Sequence, residues 1–156
     1  MSDAFGFLLI TVDPLTTHGG PGSAWDLVVA RLAKRMWPIY ANTRNRQRFG
    51  PGRRVAFYIG GERKHAGEVI ATALVSSVES WTMSKGSVDP DRYLTEPADQ
   101  VLRLDQISRL TSPVRLKDYV SKMSFAPSNM GRWGVVLMGG CRALSHEDWR
   151  LLFLDR

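Results

Sequence analysis

The chain predicts an α+β domain in which a curled, mostly antiparallel sheet is flanked by helices. Three observations carry this expectation. Short apolar runs bounded by Gly and Pro recur along the sequence, three segments place apolar residues at helical spacing, and a hairpin pattern sits near the middle.

Residues 6–12 form the first expected strand, apolar enough to be buried on both faces and stopped by Asp13-Pro14. A Gly-rich loop at 18–22 follows. Ser23 with Asp26 matches the helix-start pattern in which side chain and backbone cap each other. Trp25, Val28, Val29, Leu32 and Met36 then share one helical face, and Pro38 ends the helix. Residues 55–59 and 65–75 read as the two strands of a hairpin around the turn at 60–64. The stretch 80–100, with Gly, two Pro and mixed charge, reads as an exposed loop. Leu102 and Leu104 alternate with Arg103 and Asp105, giving a half-buried strand toward Leu110. Leu116, Tyr119, Val120 and Met123 have helical spacing. Residues 133–138 read as a short apolar strand ending in Gly139-Gly140. Ser145 to Asp148 opens a last helix with Trp149, Leu152 and Phe153 facing inward.

At 156 residues, 44% hydrophobic and 23% charged, the chain suits one soluble domain over 1–156 with a core large enough to need no staple. Cys141 is the only cysteine, so no internal disulfide can form and a reducing compartment is expected. The apolar run at 7–12 is too short to cross a bilayer and no basic region precedes it, which points to a cytoplasmic protein without membrane attachment. His18, His65 and His146 are scattered, with no spacing suited to zinc. Asp89 and Asp91 flank Pro90 as lone carboxylates, and Gly19-Gly20-Pro21-Gly22 lacks the Lys and Ser/Thr of a phosphate-cradling loop. Neither metal nor cofactor is expected.

Charge is concentrated. Between Arg31 and Lys64 ten Lys or Arg face one acid, Glu62, so this segment carries +9 and leaves −3 for the rest of a chain whose net charge is +6. Eight of the ten are Arg, whose planar guanidinium suits bidentate phosphate contact. A basic surplus confined to one segment suits a polyanionic partner; a solvated face is the ordinary alternative.

Four stretches, taken in order, resemble the EVE branch of the PUA-like superfamily, related in fold to YTH and ASCH domains. They are Phe7-Leu8-Leu9-Ile10-Thr11; Met36-Trp37-Pro38-Ile39-Tyr40-Ala41-Asn42-Thr43-Arg44-Asn45; the hairpin Val55-Ala56-Phe57-Tyr58-Ile59 with His65-Ala66-Gly67-Glu68-Val69-Ile70-Ala71; and Ser124-Phe125, Trp133-Gly134, Leu137-Met138-Gly139-Gly140 and Asp148. Two departures fall near the expected pocket. Thr11 and Val12 stand where many members carry an aromatic pair and Lys before the acidic-Pro sequence, and Trp37-Pro38-Ile39-Tyr40-Ala41-Asn42 replaces Trp-x-x-Val-Arg-Asn. The resemblance implies a curled barrel flanked by helices. It also implies binding of DNA or RNA carrying a modified base, such as methylated or hydroxymethylated cytosine, alongside a nuclease or modification system.

A flipped-out base loses stacking that aromatic walls must replace at about 1–3 kcal/mol, and polar groups must read its edge. Trp37 and Trp81 are the candidate walls, Tyr40 a stacking or hydrogen-bonding partner, Asn42 and Thr11 the polar readers. Arg44, Arg46, Arg48, Arg53 and Arg54 are the candidate phosphate contacts. Each pocket residue has a structural alternative: core packing for Trp37 and Tyr40, a loop anchor for Trp81, a turn cap for Asn42, a backbone partner for Thr11. Trp25 and Trp149 read as core, Trp133 as packing, and His65 as a hairpin residue. No nucleophile–base pair is legible, so a non-catalytic module is expected. The alternatives are a general RNA-binding protein, or an ASCH-like RNA or amide hydrolase using Glu68 or Lys64 as base.

Overall fold

In the computed structural model, residues 4–13, 22–80 and 98–154 are described. The Gly-rich loop apart from Gly22, Trp81, Asp89, Asp91 and most of the 80–100 stretch lie outside them. Six strands form one sheet: β1 (Gly6–Thr11), β2 (Met36–Ile39), β3 (Arg54–Ile59), β4 (Glu68–Ser80), β5 (Gln100–Arg115) and β6 (Cys141–Leu144), in the order β2-β5-β4-β3-β1-β6. Helix α1 spans Ala24–Lys34, and α2 (His146–Trp149) continues as a wider turn over Arg150–Leu154. The β1–β3 pairing is parallel and the other pairings are antiparallel.

The sheet is curled into a half-barrel. Register shifts interrupt β3–β4 once and β4–β5 three times, and each such bulge bends and twists its strand. In a flat sheet β2 and β3 would lie three strand spacings, about 14 Å, apart. Here the rings of Trp37 on β2 and Phe57 on β3 are 4.8 Å apart.

Two apolar clusters occupy the two faces. Phe7, Leu9, Phe57, Ile59 and Leu102 pack with Val28 and Leu32 of α1, whereas Leu8, Ala56, Tyr58, Val114 and Leu144 pack with Trp149 and Leu152. Successive residues of β1 and β3 thus point to opposite cores, which explains their unbroken apolar sequence.

Three expectations are corrected. The first helix stops before Met36, because Arg35 turns left-handed (φ 56°) and its N–H bonds to the carbonyls of Arg31 and Leu32. Met36, Trp37, Pro38 and Ile39 become β2. Pro38 is tolerated there because β2 is an edge strand and needs one fewer ladder of N–H groups. Residues 133–138 are not a strand. Met130–Leu137 forms 3-10 turns begun by the Asn129 side chain accepting from Gly131 N–H (2.9 Å). Trp133, Val136 and Leu137 pack inward while Val135 stays exposed, a helical rather than alternating pattern. Trp25 is half-buried at the rim of the core, its ring 4.2 Å from that of His65.

The capping signals hold. Ser23 Oγ accepts from Asp26 N–H at 3.3 Å and donates to the Asp26 carboxylate at 3.0 Å. Ser145 and Asp148 form a reciprocal capping box.

Candidate functional site

Four arginines of the basic segment, Arg44, Arg48, Arg53 and Arg54, are brought to the β1–β6 side of the sheet, whereas Arg31 lies over Trp37 and Arg35 pairs with Asp105. The Arg54 guanidinium lies 4.1 Å from the Phe5 ring centre and that of Arg48 5.5 Å from Phe7. Arg53 donates to the Ala4 carbonyl at 3.3 Å, and the Arg44 backbone N–H donates to the Gly139 carbonyl at 3.0 Å. Because Ile10 N–H donates to the neighbouring Gly140 carbonyl, the arginines extend from the start of β1 to its end, a span of about 17–20 Å at 3.3 Å per residue. Arg142 on β6 joins them, opposite Leu8 in register. Among the described residues, no carboxylate pairs with Arg44, Arg48, Arg54 or Arg142. Arg46 departs from the group, as its guanidinium pairs with Asp99 at 3.3 Å.

The expected pocket residues do not gather as one cage. Trp37 is 4% exposed, packed on Phe57 with the Arg31 guanidinium 5.0 Å from its ring centre. As an open stacking wall it is therefore corrected: the curl of the sheet turns its ring into the core. Tyr40 is half-buried and Asn42 exposed, in a turn closed by Thr43 N–H to the Tyr40 carbonyl and by Tyr40 N–H to Thr43 Oγ1, both 3.0 Å. Trp81 lies outside the described residues. Thr11 shares the α1-facing side of β1 with Phe7 and Leu9; it is 5% exposed, and among the described residues its hydroxyl has no hydrogen-bond partner. An orphaned buried hydroxyl costs about 1–3 kcal/mol; among the described residues Gln100 Oε1 is likewise buried without a partner.

Two concavities flank the arginines. A cleft of about 450 Å³ opens between the ends of β1 and β3 and the 3-10 segment, lined by Ile10, Val12, Tyr58, Leu137, Met138 and two Gly-Gly pairs. A pocket of about 340 Å³ is lined by Arg44, Asn45, Cys141, Arg142 and Ala143. Among the described residues no cluster of His, Cys, Asp and Glu is arranged to hold a metal, and no helix is long and apolar enough to cross a membrane.

No family model and no curated protein matches the chain. Among solved structures, the N-terminal domain of Staphylothermus marinus McrB is similar over 97% of each chain, with a TM-score of 0.59 and 14% identity. The fold is PUA-like.

Within this PUA-like sheet, sequence reading passed over several residues of the site. Asp13 read only as a strand stop, yet its carboxylate accepts from Ala24 N–H (3.0 Å) and Glu62 N–H (2.9 Å), tying the start of α1 to the β3–β4 turn. Those two bonds, Glu62 first, hold its pKa below the ordinary value. Asp13-Pro14 before an N-capped helix was the available signal. Arg142 and Tyr58 had none, because only pairing in the sheet places them beside Arg44 and the cleft. Glu68 is engaged by His65 Nδ1 at 2.9 Å, and the Lys64 ammonium sits 5.3 Å from the Trp25 ring centre. Burial pushes the Cys141 thiol up to about 12, so it is a packed group rather than a nucleophile.

Proposed function

We propose that the chain is an EVE-type nucleic-acid-binding module that holds an unpaired, modified base of DNA or RNA on the α1 side of its sheet. The observation that carries this reading is the gathering of Arg44, Arg48, Arg54 and Arg142 around β1 and β6 with no carboxylate partner among the described residues, which suits a phosphate backbone. The orphaned Thr11 hydroxyl supports a base edge as its missing partner. The nuclease or modification system that would work beside it belongs to the same proposal.

Fluorescence titration with single strands carrying methylated cytosine, hydroxymethylated cytosine or methylated adenine tests it. The expected result is tighter binding of one modified strand than of its plain counterpart. Thr11→Val should reduce that preference about tenfold, or 1.4 kcal/mol, while leaving fold stability unchanged or raised by about 1 kcal/mol through loss of the orphan. Equal affinity for every strand, modified or not, rejects the base pocket.

The covered state of Trp37 favours a second reading, a general single-strand or RNA binder that works by charge and shape. Under it, binding is steeply salt-dependent and Trp37→Ala alters stability alone.

A further inference from the structure

We infer that the cleft between the ends of β1 and β3 and the 3-10 segment is a second nucleotide subsite, taking a base in the cleft and its phosphate in the pocket of Arg44, Asn45 and Arg142. This rests on the nucleic-acid reading above; the cleft lies on the sheet face opposite Thr11 and α1, and the pocket lies along the edge strand β6.

The cleft has the volume of a small-molecule site, about 450 Å³. Its walls suit a flat ring. Tyr58 lines it but is 6% exposed, Ile10 and Leu137 supply apolar contact, and Gly60-Gly61 and Gly139-Gly140 present backbone without side chains. Val12 and Met138 stand at this cleft 65% and 61% exposed, apolar groups that gain by covering.

The Gly139 turn joins the two concavities. Gly139 has φ +92°, and a Cβ there would fall 2.6 Å from Cγ of Arg44, so the arginine side chain lies across the glycine that lines the cleft. On the far side of that turn Arg44, Asn45 and Arg142 line the 340 Å³ pocket. Asn45 is held in place, its Oδ1 accepting from Arg48 (3.0 Å) and its Nδ2 directed at Cys141 Sγ (3.8 Å). Arg142 lies over the Phe125 ring at 4.8 Å. An apolar slot with the Arg44 side chain against its Gly139 rim and a doubly cationic pocket nearby fits a base linked to a phosphate. Asp13, which lies against Gly61 of the cleft, is occupied by two backbone N–H groups.

Gly134→Phe fills the cleft without backbone strain, since a Cβ at Gly134 meets nothing within 4 Å. Met138→Glu, at an exposed position, places a negative charge at the mouth and guards against a folding defect in the first variant. Titrations would use adenosine and cytidine 5′-monophosphates, and a hexanucleotide with and without 5-methylcytosine. Both variants should weaken mononucleotide and hexanucleotide binding about tenfold, the effect of losing one stacked base, with the ratio of modified to plain strand unchanged. Arg44→Ala should weaken mononucleotide binding similarly. Wild-type affinity for both probes in folded Gly134→Phe and Met138→Glu overturns the subsite and leaves the nucleic-acid reading standing. Mononucleotide binding that the variants abolish, without strand binding by the wild type, supports the subsite and rejects that reading.

Discussion

Asp13 shows how a single carboxylate can hold two loops in register. Its bonds from Glu62 and Ala24 N–H favour the charged form, so the folded-state pKa is depressed. Stability from this group is fully present above the unfolded value near 4 and is lost as pH falls through the lower folded value. Asp13→Ala should therefore lower the urea midpoint at pH 7, and the gap to wild type should close as both are titrated below pH 4. A gap that stays constant to pH 2 contradicts the ionic origin. Thr11 makes the complementary case: its hydroxyl is buried and finds no partner among the described residues. Its position as a polar residue in an apolar strand was legible in the sequence. Its lack of a partner was not, because hydrogen bonding depends on which groups the fold brings within reach.

At the scale of elements, α2 is seated against β1 through the absence of a side chain at Gly6. A Cβ there would lie 2.8 Å from the Trp149 ring and 3.2 Å from the Arg54 carbonyl. Gly6→Ala should destabilise the protein by about 1–3 kcal/mol, the usual cost of overpacking, measured as a shifted denaturant midpoint with unchanged slope. Unchanged stability would show that α2 adjusts freely. The elements themselves were read unevenly from sequence. The hairpin at β3 and β4 and the two capped helix starts are local, carried by turn and capping residues a few positions apart. The end of α1 was misplaced because Met36 continues the helical face of Trp25, Val28, Val29 and Leu32 as well as it fits an edge strand. Pairing with Arg103 and Leu102, over sixty positions away, decided for the strand.

For the molecule as a whole, charge placement gives the sharpest test of nucleic-acid binding. Arg44, Arg48, Arg54 and Arg142, which have no carboxylate partner among the described residues and, unlike Arg53, are not bonded to a backbone carbonyl by their guanidinium groups there, predict a slope of about −3 in log K against log salt on single strands. Replacing any one by Ala should reduce that slope by about 0.7, whereas Arg46→Ala, whose guanidinium pairs with Asp99, should leave it nearly unchanged. Equal losses at all five positions would mean that the segment acts as diffuse charge instead of a track.

The sequence alone determined the α+β class, the basic segment, the hairpin and both capped helix starts, since each depends on residue type and near-neighbour spacing. Only the tertiary structure decided that the sheet curls far enough to bring Trp37 against Phe57, that Arg46 leaves the arginine track for Asp99, and that Tyr58 and Gly139 share a cleft. Those outcomes depend on strand order, bulges and register, which join residues far apart in the chain through contacts that no local pattern encodes.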